Sequence, residues 1–273
     1  MTDLKASPLG RATVYTEAYD PALLFPVDRA DQRASLNLGA ALPFRGVDLW
    51  TAYELSWLDP AGKPRVAVAT FSVPHDSPRI VESKSVKMYL TAFNMTRFAS
   101  PADVAATIAR DLGAATGARV EIALTSSDGL ASMPHAELEG ESLDELPFDV
   151  CAPLPDPTRL AASGPVVVET VFTRLFRSVC PVTGQPDFAS MQLRYRGPRI
   201  DRAGLLAYFI SFRRHPGFHE HCVERIFADV WRRCGPVSLA VYARFTRRGG
   251  IDINPWRTSG EEAPPENART AGQ

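Results

Sequence analysis

At 273 residues and 45% hydrophobic, the chain is long enough to bury one large core or two modest ones. Thirty basic residues against thirty-one acidic ones leave a formal charge of -1, so no global field recruits nucleic acid or an anionic membrane surface. The opening MTDLKASPLGRATVYTEAYD lacks an apolar core of signal-peptide length, and no apolar run nears the ~20 residues of a spanning helix, which predicts a cytoplasmic protein with no membrane partner. In chain order, residues 1–38 are polar and aperiodic and read as an N-terminal extension. WTAYELSWL (50–58) and RVAVATFSV (65–73) are rich in β-branched and aromatic residues, and DPAGKP between them supplies turn chemistry, so a hairpin is predicted. KSVKMYLTAF follows as a helix with Val86, Tyr89, Leu90 and Phe93 on its apolar side. A second helix opens at Ser100, Pro101 and Asp103, where serine caps, proline takes the first position and the carboxylate meets the positive helix end. ARVEIALT (118–125) then alternates as a strand.

The Gly-, Ser-, Asp- and Pro-containing stretch over 126–164 is the natural connector, with 151–164 as the linker between a module at 39–150 and another at 165–257. The second module repeats the order of the first. VVVETVFTRLF (166–176) and SMQLRYR (190–196) read as strands, DRAGLLAYFISF and FHEHCVERIFADVW as helices, and SLAVYARFT (238–246) as a strand. Val223, Ile226, Phe227, Val230 and Trp231 form the apolar stripe of the last helix. A ββααβ order occurring twice predicts an α+β protein of two modules, each an antiparallel sheet with two helices on one face. The Pro- and Glu-rich end, 258–273, is expected to be a disordered tail.

Four constellations could carry chemistry. In SVCPVTGQPDF, Cys180 and Asp187 flank one turn, and a thiol with a carboxylate at hand can add to an electrophile; a buried hydrophobe or a metal ligand are the other readings of Cys180. Cys151, Cys180, Cys222 and Cys234 are scattered without a C-x-x-C pair and read as free thiols. In HPGFHEHC, His215, His219, His221 and Cys222 are close in sequence, but no second cluster completes a tetrahedral set, so no metal is predicted, and Cys222 belongs with the helix core. His219 and Glu220 open that helix; the carboxylate either caps the surface or accepts two N–H groups from a planar, amidine-like ligand. VESKSVKMY begins a helix with Glu82, Ser83 and Lys84 in its first turn and Lys87 three residues on, a phosphate cradle or a solvated charged face. Thr246-Arg-Arg-Gly-Gly250 sets guanidinium groups beside a flexible backbone. No G-x-G-x-x-G or P-loop motif occurs.

VESKSVKMYL, TAFNMTRF, SVCPVTGQPDF, GFHEHCVERIF and YARFTRRGGIDINPWR, in this order, closely resemble the two-module form of the 7-cyano-7-deazaguanine reductases, NADPH-dependent nitrile reductases of queuosine biosynthesis. The likeness runs from about residue 10 to 257, and E-S-K-S-x-K is the family hallmark. The resemblance implies tandem tunnelling-fold (T-fold) modules, a homodimer, NADPH as cofactor, a 7-deazaguanine substrate and no direct nucleic-acid partner. It also implies that Cys180 adds to the nitrile carbon as a covalent thioimide and that Asp187 supplies the proton to nitrogen. Glu220 and His219, with Ile80, Val81 and Glu82, would hold the deazaguanine, and Ser83, Lys84, Arg248 and Gly249 would contact NADPH. A cyclohydrolase of the same superfamily would want a zinc set that this sequence does not complete, and a non-catalytic purine-binding module would have no use for Cys180 with Asp187.

Overall fold

The computed structural model describes residues 16, 18–38, 41–148 and 154–273. Cys151, the first residues of the 151–164 linker and residues 1–15 of the expected N-terminal extension lie outside the described residues. The architecture is α+β and divides into two units, each assembled from separate stretches of chain. The first unit takes the described residues up to Ser35, then Asp48–Pro134 and Arg247–Ile253; the second takes Leu36–Val47, His135–Thr246 and Asn254–Gln273.

The first unit contains β1 (Pro26–Asp28), α1 (Arg29–Arg33), most of β2 (Arg45–Leu58), β3 (Pro64–Pro74), β4 (Arg79–Val81), α2 (Ser83–Thr91), α3 (Pro101–Thr116) and β5 (Glu121–Ser126). Its main sheet has the order β5-β3-β2, and β1 pairs with β4 as a separate ribbon. The β2–β3 turn closes because Asp59 Oδ1 accepts the N–H groups of Ala61 and Lys63, the local bond that favours aspartate in turns. Helix α3 starts where Ser100 Oγ accepts the Asp103 N–H and stops at Gly117, whose φ of 74° ends the turn in the left-handed region. Val86, Tyr89, Leu90 and Phe93 are buried against the sheet, as their spacing predicts. Strand β5 begins at Glu121, later than the alternation suggests.

The second unit holds β6 (Glu141–Ser142), β7 (Ala162–Val179), β8 (Pro186–Ile200), α4 (Arg202–Ile210), α5 (His219–Cys234), β9 (Ser238–Phe245) and the last part of β10 (Ile251–Thr258). Its strands run in the order β10-β9-β8-β7-β6, antiparallel where β7, β8, β9 and β10 pair and parallel at the two-residue β6. Strand β10 is not evident in the sequence, because Asp252, Asn254, Pro255 and Arg257 mask it. All eight of its residues are buried, and the polar ones are paired inside. Arg257 donates to Glu224 Oε1 at 2.8 and 3.1 Å, and Asn254 Oδ1 accepts the Phe245 N–H at 3.1 Å. Residues 259–273 form no helix, and the side-chain oxygens of Asn267 and Gln273 accept from the buried Arg244 guanidinium at 2.5 and 2.8 Å.

Each unit pins its helix pair in the same way. Tyr89 of α2 donates to Asp111 of α3 at 2.7 Å, and Tyr208 of α4 donates to Asp229 of α5 at 2.8 Å, across separations of 22 and 21 residues. Burial of these hydroxyls next to a carboxylate raises both phenols far above their ordinary range. The shared device agrees with the duplicated element order.

Candidate active site

A β-bulge decides what the second unit presents on its inner face. From Val171↔Leu193 to Thr173↔Met191 the odd-numbered residues of β7 stand opposite the buried residues of β8. Between Thr173 and Phe176 two residues of β7 oppose one of β8, so the phase changes and Phe176, Ser178 and Cys180 turn inward instead. Phe176 then faces Ala189, and Ser178 faces Asp187. Without that extra residue the alternation would send Ser178 and Cys180 to the opposite face.

The turn that follows is closed by the Cys180 N–H donating to the Gln185 carbonyl at 2.9 Å and the Gly184 N–H donating to the Cys180 carbonyl at 3.0 Å, with Gly184 at φ 69°. The segment His215–Gly217 locks the end of β7 from the side. Val179 N–H donates to the His215 carbonyl, and Gly217 N–H donates to the Val179 carbonyl. Cys180 is thereby held at 7% exposure and Asp187 at 4%, on one inward-facing hairpin.

Helix α5 brings its first turn to the same place. His219 Nε2 lies 3.6 Å from Asp187 Oδ1, and the imidazole stacks on Phe245 with centroids 3.7 Å apart and planes 2° from parallel. Phe245 sits at the end of β9, beside Ala189 in the β8–β9 register, so one strand end fixes the plane of the ring. Glu220 is buried in the first turn of α5, where the helix dipole favours a carboxylate. Burial pushes the Cys222 thiol up to about 12; the neighbouring Ser178 hydroxyl opposes part of that rise, while Asp187 and Glu220 add to it. Cys180, Cys222 and Cys234 are free thiols. The rings of His215 and His221 stand 6.1 Å apart, and among the described residues no group of three His, Cys, Asp or Glu side chains forms a metal-holding set.

The other expected residues lie in the first unit. Ile80 and Val81 are buried in β4, paired with Val27 and Pro26 of β1. Glu82 is the N-cap of α2: its two carboxylate oxygens accept the N–H groups of Lys84 at 2.6 Å and Ser85 at 2.8 Å. Burial raises its pKa against the pull of those two N–H groups and of Lys87 and Lys84. A cradle of open helix N–H groups is therefore not what the sequence of α2 builds. The chain's own carboxylate takes two of them, and the Ser85 hydroxyl is bound between the Glu82 carbonyl and the Phe25 N–H.

Ser83, Lys84 and Lys87 remain partly exposed on α2. Lys87 runs along the turn that joins β9 to β10: a Cβ placed on Gly249 would stand 3.1 Å from its Cδ and Cε and 3.2 Å from its Nζ. Lys84, three residues before Lys87, shares that side of the helix. Arg247 lies over the Tyr53 ring at 5.0 Å, and Arg248 closes the turn through its N–H to the Ile251 carbonyl at 2.9 Å. Lys87 thus lies against a backbone kept bare by glycine, and Arg247 and Arg248 belong to the same turn. Sequence reasoning missed Phe245 and Ser178 as parts of the thiol site. The alternation of β9 marks Phe245 as inward, but nothing local announces that His219 stacks on it.

Comparison with known proteins gives one consistent set of relatives. A family model described as "Nitrile reductase, 7-cyano-7-deazaguanine-reductase N-term" matches residues 15–124, and one described as "QueF-like protein" matches residues 186–264. The chain is 58% identical over 271 residues to the NADPH-dependent 7-cyano-7-deazaguanine reductase of Bordetella pertussis, covering 99% of both chains. It is 55% identical over 269 residues to the protein of that name from Burkholderia vietnamiensis, covering 98% of both. Among solved structures, the apo form of the archaeosine synthase QueF-Like aligns over 37% of this chain and 99% of its own, with 16% identity and a TM-score of 0.31, too low to bear on the fold. No helix among the described residues is long and apolar enough to cross a membrane.

Proposed function

Because the chain belongs to the 7-cyano-7-deazaguanine reductase family, we infer that it reduces the nitrile of 7-cyano-7-deazaguanine to the aminomethyl group with NADPH, a step of queuosine biosynthesis, and we propose that Cys180 and Asp187 carry its covalent chemistry. The observation that carries the mechanism is the inward-facing hairpin, which encloses a thiol and a carboxyl on one face with the His219 imidazole 3.6 Å from the carboxyl.

A nitrile carbon is a poor hydride acceptor, and attack by sulfur makes it a better one. The Cys180 sulfur forms a bond to that carbon, one π bond of the nitrile opens, and the thiol proton reaches nitrogen by way of Asp187, giving a thioimide with no net change in charge. NADPH supplies the two hydrides when bound. Each reduction adds one hydride to carbon and one proton to nitrogen, and the carbon–sulfur bond breaks between them, returning Cys180 and leaving an imine. Asp187 is placed to move each proton, and His219 holds its carboxyl in position while Phe245 holds His219. Glu220, with His219, is assigned to the N–H edge of the deazaguanine, since a buried carboxylate pairs well with a ring N–H and an exocyclic amine.

On the first unit, the proposal gives base contacts to Ile80, Val81 and Glu82 and cofactor contacts to Ser83, Lys84, Arg248 and Gly249. What supports the cofactor contacts is Lys87 packed against the side-chain-free backbone of Gly249, with Lys84 on the same side of α2 and Arg248 in the same turn. The same reading takes the chain as tandem T-fold modules, expected over 39–150 and 165–257, although the two units exchange Leu36–Val47 and Arg247–Ile253, and has it work as a cytoplasmic homodimer. The test is direct. Incubation with the nitrile base, without NADPH, should add the mass of the base to the chain, at Cys180. Cys180→Ala should give neither adduct nor NADPH oxidation while remaining folded, and full turnover by that variant would overturn the mechanism.

A further inference from the structure

Ser178 stands out among the buried polar groups that the mechanism above leaves unused. It is fully enclosed, and its Oγ forms no hydrogen bond of ordinary geometry. Leaving a buried hydroxyl unpaired costs about 1–3 kcal/mol, so such groups in native proteins mark either a hidden partner or a use. Its surroundings indicate the use. In the β7–β8 ladder Ser178 is the cross-strand partner of Asp187, and side chains so paired share a face with Cβ atoms roughly 4.5–5.5 Å apart. It lies two residues before Cys180 on the inward face that the bulge creates. Its polar neighbour in α5 is the Cys222 thiol, a weak hydrogen-bond partner.

We propose that Ser178 is a positioning residue for the proton-transfer step: its hydroxyl turns to donate to the Asp187 carboxylate, or to accept from the protonated acid, as Asp187 passes a proton between Cys180 and the substrate nitrogen. A hydroxyl is suited to this because it carries one donor and two acceptor lone pairs on a rotor that needs no backbone movement. Facing Asp187 from α5 are His219, at 3.6 Å, and the Cys222 thiol, on which Asp187, Glu220 and Arg225 all act. Beside them Ser178 offers a neutral hydroxyl, a stronger donor and acceptor than the Cys222 thiol, that can serve both protonation states of the carboxyl.

The inference rests on the covalent role of Cys180 and Asp187, and the experiment separates the two. Adduct formation with the nitrile base is followed by mass spectrometry over pH in wild type and in Ser178→Ala, with thermal unfolding of both. If Ser178 were only a packing residue, removing an unpaired buried hydroxyl would be neutral or stabilising and would leave the rate alone. The expected result is an unchanged or raised melting temperature, adduct formation slower by about tenfold, and an acid limb moved up by roughly half to one pH unit, because a carboxylate that loses a donor binds its proton more tightly. Ser178→Cys, which keeps a weak donor at the same atom, should fall between the two. A Ser178→Ala enzyme with the wild-type rate and pH profile overturns the positioning role while leaving the thioimide intact. A wild-type enzyme that forms no adduct at Cys180 instead overturns the mechanism on which it stands.

Discussion

Asp187 is enclosed at 4% exposure, meets His219 at 3.6 Å and stands across the ladder from Ser178, so bulk water has little access to its carboxyl. Asp187→Asn should therefore keep the fold and the base-binding site but slow adduct formation by about 10²–10⁴, the usual loss when a positioned general acid–base is removed. A time course by mass spectrometry at fixed base concentration measures this, and a wild-type rate would remove Asp187 from the role. His215, whose carbonyl holds the end of β7, carries a different signature. Burial, with Arg225 and His221 acting in the same direction, drives its imidazole down to about 4 from an ordinary 6.5. The folded protein keeps it neutral while the unfolded chain protonates it, so its contribution to stability is present above pH 6.5 and is lost as the pH falls from there toward 4. In His215→Leu the melting temperature should fall less steeply over that window than in wild type. An identical slope in both proteins would show that the buried imidazole does not set the acid sensitivity.

The turn between β9 and β10 is a two-residue hairpin with Gly249 at φ 55° and Gly250 at φ 78°, the arrangement whose twist matches its flanking strands. The Gly250 carbonyl accepts the Tyr53 N–H at 2.8 Å, which holds the turn in place, and the φ of 78° is one that only glycine adopts without strain; a Cβ there would also have to push the exposed Glu54 carboxyl aside. Gly250→Ala should destabilise the protein by about 1–3 kcal/mol in denaturant titration, and should raise the KM for NADPH while sparing adduct formation without cofactor. If the KM stays unchanged in a folded variant, this hairpin is not part of the cofactor surface. Gly-Gly after a strand and the Cys–Asp turn were legible because turn chemistry is local. So were α2, α3 and α5, whose apolar spacing is carried by contiguous residues. The bulge in β7 was not, since Arg174 and Leu175 look like any other pair in an alternating run. Strand β10 escaped notice for a related reason: its buried Asp252 and Arg257 are tolerated because Tyr53 and Glu224, far away in sequence, meet them in the fold, and its Asn254 because it accepts the Phe245 N–H across the hairpin. The open N–H groups expected at the start of α2 are absent for a local reason: the carboxylate that precedes the helix accepts two of them itself.

At the scale of the whole molecule, the chain passes repeatedly between the two units, and neither is a contiguous piece of sequence. The first unit needs Arg247–Ile253 from far along the chain, and Ile251 and Ile253 are buried in its hydrophobic core with Leu55 and Phe71. The second needs Leu36–Val47, whose Phe44 packs edge-on against Phe227 of α5, and whose Val47 carbonyl accepts from Arg257. Duplication of a ββαα pattern suggests a cut in the connector, but the core contacts do not respect such a cut. A fragment ending at Pro134 would lose two buried isoleucines at once, and deletion of one such side chain in a core costs about 2–5 kcal/mol, comparable to a large part of the stability of a small domain. That fragment should show no cooperative thermal transition by circular dichroism, whereas the full chain should unfold sharply. A fragment with a sharp, reversible transition would show that the Ile251 and Ile253 contacts are dispensable and that the first unit is closed on residues before the connector.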